Sequence, residues 1–212
     1  MAYPSTKTLL KKVKKDYTTI ASSFDRSRRE SWKEFELFEP ILKDNEIILD
    51  LGCGNGRLFD FFKKKKKKLR YIGMDNNSAL LRLAQKNNPK ATFKKGDMLK
   101  IPLPGSSVDQ IWSIAALHHI PTKTLQKKAL REMRRVLKPD GKLVITVWNL
   151  WQEKYEKYIN KKNDAFVPFG KANRYYHAFR PAELASLLID SGFVIEKKPH
   201  TDFNFCFICR PK

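Results

Sequence analysis

Long apolar runs are missing from this 212-residue chain. No stretch reaches the ~18 residues that a helix needs to cross a bilayer. Residues 1–7 also lack the apolar core of a secretory signal. Cysteine is scarce, at three residues, too few for a disulfide framework. Cys53 sits between glycines. Cys206 and Cys209 make a lone C-x-x-C in a run, 203–209, that reads as a terminal strand. Residues three apart in a strand point to opposite faces, so a shared metal or a redox pair is not expected. With no secretory signal, this cysteine usage leads to the expectation of a cytoplasmic protein with no metal and no membrane span. Acidic side chains are outnumbered, 22 against 43 basic ones, for a formal net charge of +21. Such a surplus favours polyanions and draws nucleic acid even without a dedicated site. It sits badly with an enzyme whose only substrates are small and neutral. Internal repeats are absent, and the length fits a single α/β domain.

What is present is concentrated in one stretch, Ile48-Leu49-Asp50-Leu51-Gly52-Cys53-Gly54-Asn55-Gly56. The apolar run predicts a buried parallel strand over 46–51, and Arg57 opens a helix. An ordinary strand-to-helix turn needs one glycine. Three, alternating behind an acid, let backbone pass close to a ligand and point to a cofactor loop. The dinucleotide fingerprint G-x-G-x-x-G does not fit, because its third glycine would fall on Arg57. A phosphate loop is excluded, because no G-K-[ST] follows.

Further acids sit at strand ends. Asp75 ends the strand Tyr71-Ile72-Gly73-Met74-Asp75 and is placed to accept both hydroxyls of a ribose. Asp97, with Met98 beside it, follows a short strand at 91–93 and is placed to accept from an adenine amino group. A fourth strand, 108–114, runs into Ala115-Ala116-Leu117-His118-His119. Acids recurring at successive strand ends make a joint signal, since open α/β sheets bind ligands at the carboxyl ends of their strands.

This order resembles the class I S-adenosylmethionine-dependent methyltransferases over roughly residues 45–150. The resemblance implies an α/β, Rossmann-like seven-stranded sheet, mostly parallel with an antiparallel last strand, and helices on both faces. It implies that Gly52, Gly54 and Gly56 wrap the methionine part of S-adenosylmethionine, with Cys53 and Asn55 between them. It implies that Asp75 holds the ribose, that Asp97 and Met98 meet the adenine, that Asp50 reaches the amino group through water, and that Ser113 adjoins the cofactor. The product would be S-adenosylhomocysteine. The expected division is a substrate-side helical extension (1–44), a cofactor-binding core (45–150), and an aromatic-rich cap with edge strands (151–212), all in one domain.

Leu10, Val13, Tyr17, Ile20 and Phe24 recur at helical spacing, with lysines on the other faces, and predict a basic amphipathic helix. A second helix is expected over 34–42, interrupted or ended by Pro40. A helix over 125–137, a tight turn at Lys138-Pro139-Asp140-Gly141 and a fifth strand over 142–148 follow. Residues 151–176 are aromatic-rich. A helix at 181–190 leads to strands near 193–195 and 203–209. The uninterrupted lysines 63–68 fall at the far end of the helix that opens at the glycine loop. Cations suit that end of the helix dipole, so they read mainly as a solvated helix end facing away from the cofactor.

Three segments outside the cofactor motif carry a narrower resemblance. They are Ile20-Ala21-Ser22-Ser23-Phe24-Asp25-Arg26-Ser27-Arg28-Arg29-Glu30-Ser31-Trp32, then Ser113-Ile114-Ala115-Ala116-Leu117-His118-His119, then Val147-Trp148-Asn149-Leu150-Trp151-Gln152. Together they are similar to the tRNA wobble-uridine methyltransferases that esterify 5-carboxymethyluridine. Ser31 stands where that family has proline, and the residues after Trp148 depart from its small and acidic ones. The resemblance implies tRNA as partner, and it brings a small zinc-binding activating protein used by the family's eukaryotic members, of which the sequence itself carries no sign. Arg28 suits a bidentate clamp on a carboxylate, or else a salt bridge with Asp25 or Glu30. Trp32 suits stacking on an extruded base, or else core packing. His118 or His119 would donate to the substrate or act as a base, unless one ring is satisfied in the core and the other exposed. A carboxylate acceptor needs no strong base, being ionised at neutral pH. The same cofactor core would equally serve a small-molecule methyltransferase acting on a metabolite acid or a quinone. A non-catalytic cofactor-binding subunit is disfavoured by the intact loop and acids.

Overall fold

The computed structural model describes residues 3–28, 30, 32–65 and 68–212. Ser31, the departure from the family pattern, lies outside them. The amphipathic N-terminal segment forms α1 (Thr6–Arg26), capped by the Ser5 hydroxyl, which accepts the Thr8 N–H at 3.3 Å. The segment expected as a helix at 34–42 is a 3-10 helix, Lys33–Ile41, with Pro40 inside it. Proline has no N–H to give a longer ladder, and the tighter turn suits a short piece.

Strand and helix then alternate: β1 (Ile47–Leu51), α2 (Arg57–Lys64), β2 (Arg70–Asp75), α3 (Ser78–Asn87), β3 (Thr92–Lys95) and β4 (Val108–Ile114). A 3-10 turn at Leu117–His119 leads into α4 (Lys123–Val136) and β5 (Leu137–Trp148). The short α5 (Glu153–Glu156), a hairpin of β6 (Asp164–Phe169) and β7 (Ala172–His177), α6 (Pro181–Asp190), β8 (Phe193–Lys197) and β9 (Asn204–Pro211) complete the chain. The main sheet has seven strands in the order β3-β2-β1-β4-β5-β9-β8. Its first five are parallel, and β9 runs antiparallel between β5 and β8. The order reverses at β1, where an open α/β sheet leaves a crevice beyond its strand ends.

Each face of this sheet buries its own core. Phe35, Phe38, Phe61, Phe62 and Trp112 fill one face beneath the 3-10 helix and α2. Leu130, Met133, Leu184 and Leu187 of α4 and α6 cover Leu49, Ile111 and Leu143 on the other. Strand alternation splits the two C-terminal cysteines as expected, Cys206 to the first core and Cys209 to the second. Both are buried free thiols, pushed up to about 12 mainly by that burial. No described helix is long and apolar enough to cross a membrane.

Two segments differ from the sequence expectation. Residues 138–141 are not a turn ahead of a separate strand but a bulge within β5. Val108 pairs with Leu137 and Gln110 with Lys142, so the four residues swell out opposite Asp109. Lys138 ion-pairs with Asp109 there at 2.6 Å, and a Cβ on Gly141 would lie 2.9 Å from the Asp109 carbonyl. The β6–β7 hairpin was not expected at all. It turns at Gly170, in the left-handed region at φ +56°, and packs against α1.

A charged cluster fixes the hairpin. Asp164 accepts from Tyr3, from Tyr175 at 2.7 Å and from His177 Nδ1 at 3.3 Å, while His177 Nε2 donates to Glu183 of α6 at 2.7 Å. Burial works against a charged ring, but the bonds to Asp164 and Glu183 prevail and push the His177 pKa up to about 9. A folded pKa above the unfolded ~6.5 stabilises below the lower value and fades as pH rises through the upper one. The melting temperature should therefore fall as pH rises from about 6.5 through about 9. His177→Gln should flatten that fall, and an unchanged slope in the variant would rule out this origin.

Candidate functional site

A cavity of about 870 Å³ opens at the carboxyl ends of the central strands, walled by α1 on one side and by β7 on another. Its floor is the turn from β1 to α2. Gly52, Gly54 and Gly56 all take positive φ, at +85°, +56° and +80°. The Gly52 and Cys53 N–H groups both donate to the Met74 carbonyl, at 2.7 and 3.0 Å, which folds the loop against the end of β2. A Cβ on Gly52 would lie 2.6 Å from the Ala116 Cβ, whereas one on Gly54 meets only the Phe24 ring at 3.5 Å. Gly56 has a different task. It does not line the cavity, and a Cβ there would lie 2.8 Å from the Phe93 ring, so it lets α2 start close against β3.

Asp75 stands at the end of β2 with both oxygens on backbone. Oδ2 accepts the Gly54 N–H at 3.0 Å and Oδ1 the Asn77 N–H at 2.8 Å. Burial raises its pKa against those bonds. Asp75 lines the cavity, and a carboxylate has about four lone-pair sites, more than these bonds use. Asn77 ties the neighbouring walls together. Its Oδ1 caps α3 through the Ala79 N–H, and its Nδ2 donates to the Lys14 carbonyl at 2.9 Å and to the Thr18 hydroxyl at 3.0 Å. Asp50 lies deeper, almost wholly buried and bonded by the Tyr71 hydroxyl at 2.6 Å. Burial pushes it up to about 7. Asp97 is exposed at the rim beside Met98, its Oδ1 accepting the Leu99 N–H.

The acids, two glycines and Cys53 thus meet in one cavity, together with Asn55, Arg28, Trp32, His118 and His119. Ser113 does not join them. It is fully buried within β4, its hydroxyl without a partner among the described residues. Asn55 lines the wall, yet its amide is spent on the protein, donating to Asp25 at 3.0 Å and to the Arg28 carbonyl at 3.2 Å. It straps the end of α1 to the glycine loop.

Arg28 makes no ion pair with Asp25 or Glu30 among the described residues. Its guanidinium donates to the Ser27 hydroxyl at 2.7 Å and lies over Phe24, 4.4 Å from the ring centre. Trp32 carries the Arg57 guanidinium on one face at 4.0 Å. Arg57 is half-buried, and its desolvation with the nearby Arg28 charge lowers its pKa to about 10.

The two histidines are both held by the protein. His118 Nδ1 accepts the Trp148 N–H at 3.0 Å, so the ring proton sits on Nε2. His119 Nδ1–H donates to the Tyr175 carbonyl and Nε2 accepts from the Tyr17 hydroxyl, both at 2.8 Å. Burial, then the closeness of His119 and of the Arg174 charge, hold His118 well below the ordinary range. Burial takes His119 to about 3. Both rings are neutral at pH 7, and neither is a strong base.

The sequence did not single out Tyr17, Arg57, Arg174 or Tyr176 as site residues, though all four line the cavity. Tyr17 was legible only as part of an apolar stripe. The described lysines of the 63–68 run stay outside the cavity: Lys63 pairs with Asp60 at 2.7 Å, and Lys65 with Glu36 and Glu39. Lys11 and Lys14 of α1 do line it. No group of histidine, cysteine and acidic residues suited to a metal ion occurs among the described residues.

The loop leaves bare backbone at Gly54 beside the Asp75 carboxylate, open to the cavity. A methyl on Gly54 would occupy that cradle, which fits the S-adenosylmethionine expected from the sequence.

Comparison with known proteins agrees. A methyltransferase-domain family model matches residues 48–141. A protein of Encephalitozoon cuniculi named as a methyltransferase is 30% identical over 191 residues, covering 86% of this chain and 87% of that protein. Mouse tRNA (carboxymethyluridine(34)-5-O)-methyltransferase is 33% identical over 153 residues, covering 72% of this chain. The match spans only 22% of that longer protein. The crystal structure of a Methanosarcina mazei S-adenosylmethionine-dependent methyltransferase superposes with a TM-score of 0.73 at 22% identity, over 86% of this chain and 98% of that one, and so shares the fold.

Proposed function

The chain belongs to the class I S-adenosylmethionine-dependent methyltransferases, and from that premise we propose that it methylates a carboxylate on a tRNA uridine, forming an ester. Gly52 and Gly54 hold the methionine part of the cofactor, Asp75 the ribose, and Asp97 with Met98 the adenine. Asp50 serves the amino group. When bound, S-adenosylmethionine supplies an electrophilic methyl on sulfonium and leaves as S-adenosylhomocysteine. Residues 1–44 and 151–212 act as the acceptor side, around the core at 45–150.

The observation that carries the acceptor class is the state of the wall facing the acceptor. Arg28 lies there without an ion pair among the described residues, and His118 and His119 are neutral rings already bonded to protein. An acceptor that had to lose a proton would find no base in these histidines. A carboxylate is already ionised and needs only to be aligned. Arg28 clamps it, and Trp32, with Arg57 on one face, offers an aromatic edge to a base. The choice of tRNA rests on the net charge of +21, on Lys11 and Lys14 in the wall, and on the mouse relative.

Labelled methyl transfer into bulk tRNA tests this directly. The label should enter tRNA and come off in mild alkali, which cleaves an ester. Label that resists alkali would exclude the ester. Label that bypasses tRNA for a small acid or a quinone would put the metabolite reading in its place.

A further inference from the structure

Arg174 is a buried charge with an unmet hydrogen-bonding atom. It sits on β7 and is only 3% exposed, yet it lines the cavity. Among the described residues it forms no ion pair, and its buried Nε has no hydrogen-bond partner. Its neighbours are rings: Phe169 at 4.7 Å, Tyr176 at 5.3 Å and Tyr17 at 5.9 Å from the guanidinium carbon. Ring faces attract a cation but accept no N–H in the guanidinium plane. The Tyr17 hydroxyl is already directed at His119.

Arg28 approaches the same Phe169 ring, at 5.2 Å. Two guanidinium groups therefore flank one phenyl ring, close enough that the Arg174 charge helps lower the Arg28 pKa, after burial. A chain with a free choice would not bury like charges together, because an unpaired buried charge is destabilising. An anion between them relieves both the repulsion and the missing bonds. The planar fork of arginine matches a carboxylate, which has about four lone-pair sites and so keeps one for the methyl carbon. A backbone phosphodiester belongs on the exposed rim, where Lys11 lies, rather than at a position this deep.

We propose that Arg174, with Arg28 across the Phe169 ring, is the binding site for the carboxylate of the methyl acceptor. Arg174 thereby sets specificity for an acid over its neutral amide. The inference rests on the proposed carboxylate acceptor. It adds a residue from the cap hairpin, so that the site is complete only when β6–β7 is folded over α1.

The test uses the full chain saturated with S-adenosylhomocysteine, with 5-carboxymethyluridine nucleoside, its carboxamide and free acetate as probes. Wild type should bind the acid about tenfold or more tightly than the amide. Arg174→Gln should bring the two to within about threefold, and Arg174→Lys should fall between. Affinity for S-adenosylmethionine should stay unchanged, and the ligand-free Arg174→Gln protein should melt no lower than wild type, since an unpaired buried charge has gone. Any of the following results would overturn the proposal. They are an undiminished acid preference in Arg174→Gln, an equal loss for acid and amide with a lower melting temperature, or a tenfold loss of S-adenosylmethionine affinity, which would assign the arginine to the cofactor's own carboxylate. If neither nucleoside binds but acetate does, in an Arg174-dependent way, the anion site stands and the uridine reading falls. If no probe depends on Arg174, the proposal falls.

Discussion

Asp75→Ala should weaken S-adenosylmethionine binding by about 100-fold or more, ~3 kcal/mol. Two losses combine. The ribose hydroxyls lose their acceptor, worth ~1–3 kcal/mol. The Gly54 and Asn77 N–H groups, now bonded to the two carboxylate oxygens at 3.0 and 2.8 Å, lose theirs as well. The glycine loop and the α3 cap therefore slacken together, because Asn77 also binds α1 through Lys14 and Thr18. Asp75→Asn keeps the volume and one acceptor oxygen, and should lose about tenfold. Calorimetric titration of the three proteins with S-adenosylmethionine, with melting curves alongside, checks this. Wild-type affinity in Asp75→Ala would sink the assignment of this carboxylate to the cofactor.

The glycine loop and the acids of the candidate site were legible because their signals are local. A glycine with positive φ and an acid at a strand end are written at adjacent positions, and strand order then brings Asp50, Asp75 and Asp97 to one edge. Cys206 and Cys209 separated as strand alternation requires. The acceptor half was not legible in the same way. Arg174 enters the cavity only because residues 164–177 fold into a hairpin, and that segment showed aromatic richness without clean alternation. Tyr17 could not be told from core until His119 came within 2.8 Å, more than a hundred positions along the chain. Gly56 was a true signal with a misread cause, since it makes room for Phe93 rather than for ligand. Ser113 was drawn in by its place in the motif, though strand alternation turns it into the protein. Lys138-Pro139-Asp140-Gly141 looks like a turn in any local reading, and only the pairing with β4 makes it a bulge.

The glycines themselves allow the sharpest separation of folding from binding. Gly52→Ala should damage the fold. Alanine in the left-handed region is disfavoured by ~1–2 kcal/mol, and its Cβ would stand 2.6 Å from the Ala116 Cβ, so the loop after β4 must move. Overpacking of that kind costs ~1–3 kcal/mol. The total corresponds to a melting temperature about 5–15 °C lower. Gly54→Ala carries the same backbone penalty but meets only Phe24, at an ordinary 3.5 Å. It should melt within about 5 °C of wild type. Its methyl, however, takes up the space where the cofactor's backbone-hugging part would lie, so S-adenosylmethionine affinity should drop by about tenfold or more. Melting curves without ligand, and titrations with it, place the two variants on different axes. Full affinity in Gly54→Ala would mean that the cradle lies elsewhere. A Gly52→Ala protein as stable as wild type would mean that the loop has more room beside Ala116 than its packing shows.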